Sequence, residues 1–158
     1  MELTTNKVLL IGIDGLDPEL IQRWQSYLPN FTKLFIAGRA QKIQSTLPPD
    51  SIPAWSTIFT GMTPAQHGIM EHINYLTAEK KGIDVSRIIG KTFWDIAGKY
   101  GKTVCVINPF LCYPVWPVNG VMISGPVMMD GKIQAYPTSL SLERGLPEIG
   151  GITDYPNK

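Results

Sequence analysis

The chain has 158 residues, 44% of them hydrophobic, which is enough for one globular domain with a buried core. Its 14 basic and 13 acidic side chains leave a formal net charge of +1, so no charge excess points to nucleic acid or to an anionic membrane as a partner. The two cysteines, Cys105 and Cys112, are too few for a disulfide scaffold and lack the C-x-x-C spacing of a metal pair. We therefore expect a reduced, cytoplasmic protein, and the first apolar run is too short for a signal peptide or a membrane span.

The amino-terminal residues predict a strand followed by a helix. The apolar run VLLIGI at residues 8–13 is typical of a strand buried on both faces, as in a parallel sheet, and it ends at a turn signal that begins with Asp14. Asp17 and Pro18 then predict the N-cap and the first residue of a helix that reaches about Ser26.

Two further elements are expected before the next loop. A helix is predicted over residues 31–37, with Asn30 as its cap and Gly38 at its end. A short strand is predicted over residues 41–46.

A proline-containing loop then leads to Ser51, which opens the next predicted segment. The helix itself is predicted over residues 53–60 and stops at Gly61, and residues 63–68 are expected to form a loop or a single helical turn. A serine at a helix start lies beside free backbone N–H groups, and helix N-termini favour anions such as phosphate. The alternative interpretation is that Ser51 is only the N-cap of this helix.

The second half of the chain continues the alternation of helices and strands. A capping box over residues 92–95 predicts a helix that runs to about Tyr100. Strands are predicted over residues 103–107 and 118–124, and the proline-rich residues 109–117 between them are expected to form an ordered loop with aromatic anchors. The alternation indicates an α/β fold with a mainly parallel sheet flanked by helices.

Asp14 and Ser51 are the candidate site residues. In parallel sheets, ligands gather at the carboxyl ends of the strands, where Asp14 is predicted to lie. An Asp at that position is at least as typical of a turn or a cap. We expect the two side chains to converge at one edge of the sheet.

Two stretches, in this order, resemble a known family. They are VLLIGIDGL at residues 8–16 and PPDSIPAWSTIFTGMTPAQHGI at residues 48–69, and LPNFTKL at residues 28–34 between them also fits. Together they resemble the type I phosphodiesterase/nucleotide pyrophosphatase family of the alkaline-phosphatase superfamily. Residues 92–96 and 118–125 resemble predicted microbial phosphodiesterases of the same group, so the resemblance covers nearly the whole chain.

The resemblance implies metal-dependent hydrolysis of phosphodiester or nucleotide pyrophosphate bonds through a phosphoseryl intermediate. Asp14 matches a metal ligand of the family, and Ser51 matches its nucleophile, which is also a metal ligand. The implied cofactors are two divalent metal ions, usually zinc, with manganese as the alternative, and the implied substrate is a phosphate-ester small molecule or a nucleotide. These implied roles agree with general chemistry. A serine hydroxyl is a poor nucleophile at neutral pH, and a bound metal ion lowers its pKa.

Other polar and aromatic residues are expected to be structural. His67 lies in the H-G-I element of the family and is expected to orient the loop after the nucleophile helix, His72 has no assignable role, and Asp50 is expected to be a loop acceptor. The aromatic residues expected to anchor the core or the loop are Trp94, Phe110, Tyr113 and Trp116.

The ligand set expected for the family is incomplete in this chain. Most Asp and His ligands of the two metals, including a D-H-G motif, come from the carboxyl-terminal half of the family, whereas this chain has two histidines and no D-H-G. We therefore expect residues 1–158 to be the amino-terminal part of a single alkaline-phosphatase-like catalytic domain, inactive until a carboxyl-terminal half completes it. The alternatives are a phosphomutase or phosphomonoesterase of the same superfamily and a non-catalytic fragment. A sulfatase is disfavoured, because Trp55 stands where the sulfatase modification signal needs Arg.

Overall fold

The structure is a computed structural model that describes residues 7–70, 73–74, 79–80, 84–124 and 133–139. The chain divides into two compact units, Met1–Gln44 and Ser45–Lys158. That both units belong to one catalytic domain stays a prediction. Among the described residues, no helix has the length and apolar character needed to cross a membrane.

The first unit begins its regular structure at α1, Pro18–Arg23. The predicted cap is confirmed, because the side chain of Asp17 accepts a hydrogen bond from the backbone N–H of Glu19 at 2.8 Å. The α-helix ends earlier than predicted and a 3₁₀ turn over Gln25–Tyr27 continues it.

The second helix of this unit, α2, spans Pro29–Ala37 and ends at Gly38, as predicted. Its N-cap position is Leu28, so the prediction that Asn30 caps the helix is wrong. The reason is the proline, whose fixed φ and missing N–H suit the first helical position and move the helix start forward.

The two strands predicted before Ser51 do not form, since residues 7–46 contain no strand. The side chains of Val8 and Ile11 in the run 8–13 are 92% and 71% exposed, and residues 41–46 are also irregular. A strand exists through hydrogen bonds to a neighbouring strand, so an apolar run without a paired neighbour stays irregular. Asp14 therefore lies in a turn rather than at the end of a paired strand, which corrects the prediction.

Among the described residues, the second unit has α-helices at Ser51–Thr60 (α3), Pro64–His67 (α4) and Phe93–Lys99 (α5). α3 ends at Gly61, whose φ of +69° is the left-handed conformation that glycine adopts without strain. α4 is the single turn that the sequence allowed, and the predicted Thr92 capping box begins α5.

The strands of the second unit are short. β1, Ile73–Asn74, pairs antiparallel with β2, Glu79–Lys80. β3, Val104–Ile107, pairs in parallel with β4, Gly120–Ile123, and β4 pairs antiparallel with β5, Ala135–Tyr136. The α/β class is confirmed, and the described three-stranded sheet is mixed rather than mainly parallel.

Aromatic rings dominate the core of the second unit. The indoles of Trp94 and Trp116 stack with ring centroids 6.2 Å apart, and Phe59 of α3 meets Trp94 edge-on at 4.9 Å. The indole N–H of Trp116 donates to the carboxylate of Asp95 at 3.0 Å. The proline-rich loop is therefore anchored by Trp116, as predicted. The buried cluster consists of Ile52, Phe59, Ile69, Ile88, Trp94, Leu111, Cys112, Trp116 and Met122.

Candidate functional site

Ser51 is the first residue of α3, and the residue before it provides the cap. Asp50 has extended backbone angles, φ −125° and ψ 147°, and its Oδ1 accepts a hydrogen bond from the backbone N–H of Ile52 at 2.8 Å. The interpretation of Ser51 as the N-cap is therefore wrong, since Asp50 has that role. Capping does not explain why a serine occupies the first helical position.

The loop before α3 is held by local hydrogen bonds. The carbonyl oxygen of Pro48 accepts from the backbone N–H of Asp50 at 3.0 Å and from the hydroxyl of Thr46 at 3.0 Å. These bonds fix the backbone on the amino-terminal side of Ser51, as the cap does on the other side.

The three positions of α3 that follow Ser51 have no free backbone N–H to offer an anion. The N–H of Ile52 donates to the Asp50 carboxylate, Pro53 has no N–H, and the N–H of Ala54 donates to the Asp50 carbonyl oxygen at 3.1 Å. The expectation of free backbone donors beside Ser51 is thus wrong for these three positions. The exposed Asp50 also places a carboxylate next to Ser51 in the chain, which does not favour an anion there.

His67, at the end of α4, is buried with 2% of its surface exposed, and both ring nitrogens have partners. Nδ1 accepts a hydrogen bond from the backbone N–H of Ile69 at 3.0 Å. Nε2 therefore carries the proton and donates to the hydroxyl of Thr57 in α3 at 3.1 Å. Burial lowers the pKa of His67, and the nearby backbone carbonyl of Pro53 acts in the opposite direction. These contacts match the loop-orienting role predicted for His67 and leave neither nitrogen available to a metal.

The two cysteines have different surroundings and no disulfide joins them. Cys105 is exposed, whereas Cys112 is buried. Burial, together with the charge of Asp95, raises the pKa of the Cys112 thiol. Cys112 is therefore a neutral core side chain and not a thiolate ligand.

The structure places the two candidate residues in different units. Asp14 lies in a turn of the first unit, and Ser51 lies in the second. Within the described residues, no group of three or more His, Cys, Asp or Glu side chains could hold a metal ion. The shared metal site of Asp14 and Ser51 stays a prediction, and His72 lies outside the described residues.

The sequence analysis expected Asp50 to be a loop acceptor, but it did not identify Asp50 as the cap of α3 or Thr57 as the partner of His67. Asp50 carried a usable signal, because Asp is among the strongest N-cap residues and directly precedes the helix. Thr57 carried none, since α3 also contains Ser56 and Thr60 and only the fold shows which hydroxyl meets His67.

Comparison with known proteins gives a consistent set of similarities. The family model described as type I phosphodiesterase / nucleotide pyrophosphatase matches residues 8–147. Ectonucleotide pyrophosphatase/phosphodiesterase family member 3 of Bos taurus is 35% identical over 94% of the chain and 17% of the relative, and its Mus musculus counterpart is 29% identical over the same shares. Venom phosphodiesterase CdcPDE of Crotalus durissus collilineatus is 23% identical over 94% of the chain and 18% of the relative. The chain thus spans 17 to 18% of the length of these relatives. No solved structure matches the chain.

Proposed function

Because the chain belongs to the type I phosphodiesterase / nucleotide pyrophosphatase family, we propose that it forms the nucleophile-bearing part of a hydrolase for phosphodiester or nucleotide pyrophosphate bonds. In this proposal it is the amino-terminal part of an alkaline-phosphatase-like catalytic domain. The rest of that domain supplies further metal ligands and the substrate-specificity elements.

The observation that carries the proposal is the placement of Ser51 at the start of a helix that another residue caps. Asp50 bonds the N–H of Ile52, and the Pro48 carbonyl holds the loop, so the backbone of Ser51 is fixed from both sides. A nucleophile held in one orientation loses little entropy on reaching the reactive geometry. The position that the family motif assigns to the nucleophile therefore has the rigid support that a nucleophile needs.

Divalent metal ions are part of the proposal. When bound, they would lower the pKa of the Ser51 hydroxyl and balance the charge that develops on the phosphoryl oxygens. Asp14 and Ser51 are the residues of this chain that would hold them, and their oxygen donors suit zinc or manganese. The N–H groups of Ile52 and Ala54 are occupied, and Asp50 adds a negative charge. We therefore expect cations, rather than helix N–H groups, to balance the charge of the phosphoryl group.

The proposed reaction begins with in-line attack by the Ser51 hydroxyl oxygen on phosphorus. The Ser51 O–P bond forms as the bond from phosphorus to the leaving alcohol or nucleotide oxygen breaks. The Ser51 hydroxyl proton passes to solvent, and a leaving alkoxide takes one up from solvent. Water then hydrolyses the phosphoserine and restores the Ser51 hydroxyl. Asp50 and His67 hold α3 during both steps.

The test compares this chain alone with a longer protein that contains it and the carboxyl-terminal half of the domain. Bis-p-nitrophenyl phosphate is the substrate, with added zinc or manganese. We expect turnover from the longer protein, loss of turnover in its Ser51→Ala variant, and little or none from the chain alone, because Asp14 and Ser51 cannot hold two ions. Robust, Ser51-dependent turnover by the chain alone would contradict the need for a second half. Activity of the longer protein on p-nitrophenyl phosphate but not on the diester would favour a phosphomonoesterase.

A further inference from the structure

We propose that His67 is a positioning residue for Ser51, acting through the hydrogen bond from its Nε2–H to Thr57 of α3. The inference rests on the proposed role of Ser51 as the nucleophile. It goes beyond the orientation of the following loop, because the bond to Thr57 fixes the helix that carries Ser51.

The two ring nitrogens of His67 make two different kinds of contact. The bond from the Ile69 N–H to Nδ1 is local, spans two residues and shapes the chain after α4. The bond from Nε2 to Thr57 joins residues ten apart and connects this segment to α3. Only the second contact bears on the position of α3.

The contact lies where it can control the first turns of α3. The carbonyl of Pro53, in the first turn, lies close enough to His67 to affect its pKa, and Thr57 lies in the second turn. His67 thus borders the helix over the two turns that follow Ser51. Because the ring is almost completely buried, water cannot replace the bond to Thr57 without a change in packing.

The bond requires the neutral imidazole. In the charged ring Nδ1 would also carry a proton, which would oppose the Ile69 N–H that now donates to it. The charged side chain beside this segment is Arg87, which fills the space that a side chain at Gly68 would need and pairs with Asp84 at 3.5 Å. Among the described residues, no carboxylate forms a hydrogen bond with the ring, so the surroundings favour the uncharged form.

His67→Asn and His67→Gln test the two contacts one at a time, because the side-chain amide of each places a polar atom near the position of only one ring nitrogen. The Asn side-chain oxygen can accept from the Ile69 N–H but cannot reach Thr57. The Gln side-chain amide extends far enough to donate to Thr57 but leaves Ile69 without its acceptor. Thr57→Val removes the Thr57 hydroxyl and keeps the shape of a half-buried side chain, so it is expected to fold.

The experiment uses the active longer protein with bis-p-nitrophenyl phosphate and zinc or manganese. We expect His67→Asn and Thr57→Val each to lower kcat about 10-fold to 100-fold with little change in KM, because a nucleophile displaced by ~1 Å costs up to ~10²-fold. His67→Gln should retain most of kcat. The double variant His67→Asn/Thr57→Val should be no slower than His67→Asn alone, since His67→Asn already removes the bond to Thr57.

Thr60→Val is the matched control. Thr60 lies on the same helix, and its hydroxyl donates to the Ser56 carbonyl at 2.7 Å and accepts from the Met62 N–H at 3.2 Å. Neither bond involves His67, so the loss of the Thr60 hydroxyl should cost stability and leave kcat unchanged. If His67→Asn and Thr57→Val lower the melting temperature but keep kcat, His67 is only a structural residue and the proposal is wrong. If Ser51→Ala keeps activity, the nucleophile assignment fails instead. In that case a double-mutant cycle, built from the melting temperatures of the same variants, still measures the strength of the Thr57–His67 bond.

Discussion

The two units of the chain use apolar residues in different ways. In the first unit, Ile21 is the only hydrophobic side chain among the described residues that is buried, while Val8 and Leu9 are 92% and 83% exposed. In the second unit, Ile88 and Met122 are 1% and 0% exposed within an aromatic core. The helices of the first unit depend on local caps and prolines, whereas the second unit adds burial across helices and strands. Apolar composition alone therefore does not produce a core; a second layer is needed to cover each apolar face.

The largest expected effect is the loss of turnover when Ser51 is replaced. Ser51 is the residue of the second unit that is proposed to be the nucleophile. In the active longer protein, Ser51→Ala removes the proposed attacking oxygen and a proposed metal ligand together. Loss of the nucleophile in a comparable serine enzyme costs ~10⁶-fold in turnover, so we expect activity near background. Ser51→Thr keeps a hydroxyl and should keep measurable activity.

Stability measurements on the same variants separate chemistry from capping. Because Asp50 and not Ser51 caps α3, Ser51→Ala should leave the capping bond of α3 in place, so a loss of turnover in this variant would not come from a lost cap. Ser56→Ala is the control, since the Ser56 hydroxyl donates to the Ile52 carbonyl at 2.9 Å and its loss should affect stability rather than turnover. An active Ser51→Ala protein would end the nucleophile assignment.

The next largest effect tests the difference in burial between the two units, by replacing one tryptophan with alanine in each. Trp94 is 3% exposed and contacts Phe59 and Trp116, so Trp94→Ala should lower the free energy of unfolding by about 3 to 5 kcal/mol. Trp24 is 51% exposed, with Tyr27 as its ring neighbour, so Trp24→Ala should cost about 0.5 kcal/mol or less. Urea midpoints of the two variants give the comparison. Equal losses would mean that the first unit has a core of its own.

The sequence predicted several helix ends, which depend on neighbouring residues, and the strands β3 and β4, but not the absence of strands before α3. Asp17, Gly61 and the Thr92 capping box were each readable from a few positions and were confirmed. The run 8–13 had the composition of a buried strand, yet a strand also needs a partner that no local pattern specifies. β5, Ala135–Tyr136, was missed for the same reason, since it is defined by pairing with β4.

The site was predictable only in part. The motif placed Ser51 at a helix start, where the structure has it, but it did not show that Asp50 takes the capping bond. The contact between Thr57 and His67 depends on how α4 folds back on α3, which spacing alone does not define. The joint role of Asp14 and Ser51 stays a prediction, because it depends on the arrangement of two units.

A smaller effect compares the caps of the two units. Asp50→Ala removes the acceptor of the Ile52 N–H and should cost about 1 kcal/mol, while Asp50→Asn should restore most of it, since Asn caps equally well. Asp17→Ala removes the same kind of bond from the shorter α1 and should cost less than Asp50→Ala, because few tertiary contacts depend on an exposed helix. Thermal melting of the three variants measures the difference. An equal cost at both caps would show that α1 is coupled to the core as strongly as α3.

The smallest expected effect is a pH dependence that only the second unit should show, through His67. Burial lowers the pKa of the folded-state imidazole below its ordinary value of 6.5, so the unfolded chain binds more protons between the lowered pKa and 6.5. The free energy of unfolding should therefore be unaffected by His67 above pH 6.5 and should fall as the pH decreases through that window. His67→Gln cannot take up this proton, so the stability difference between wild type and variant should shrink as the pH falls below 6.5.

Urea unfolding of both proteins on either side of that pH measures the difference. The contributions of the carboxylates and of His72 cancel, because both proteins contain these groups. A difference independent of pH would mean that folding does not lower the pKa of His67, which would contradict the burial that shields its bond to Thr57.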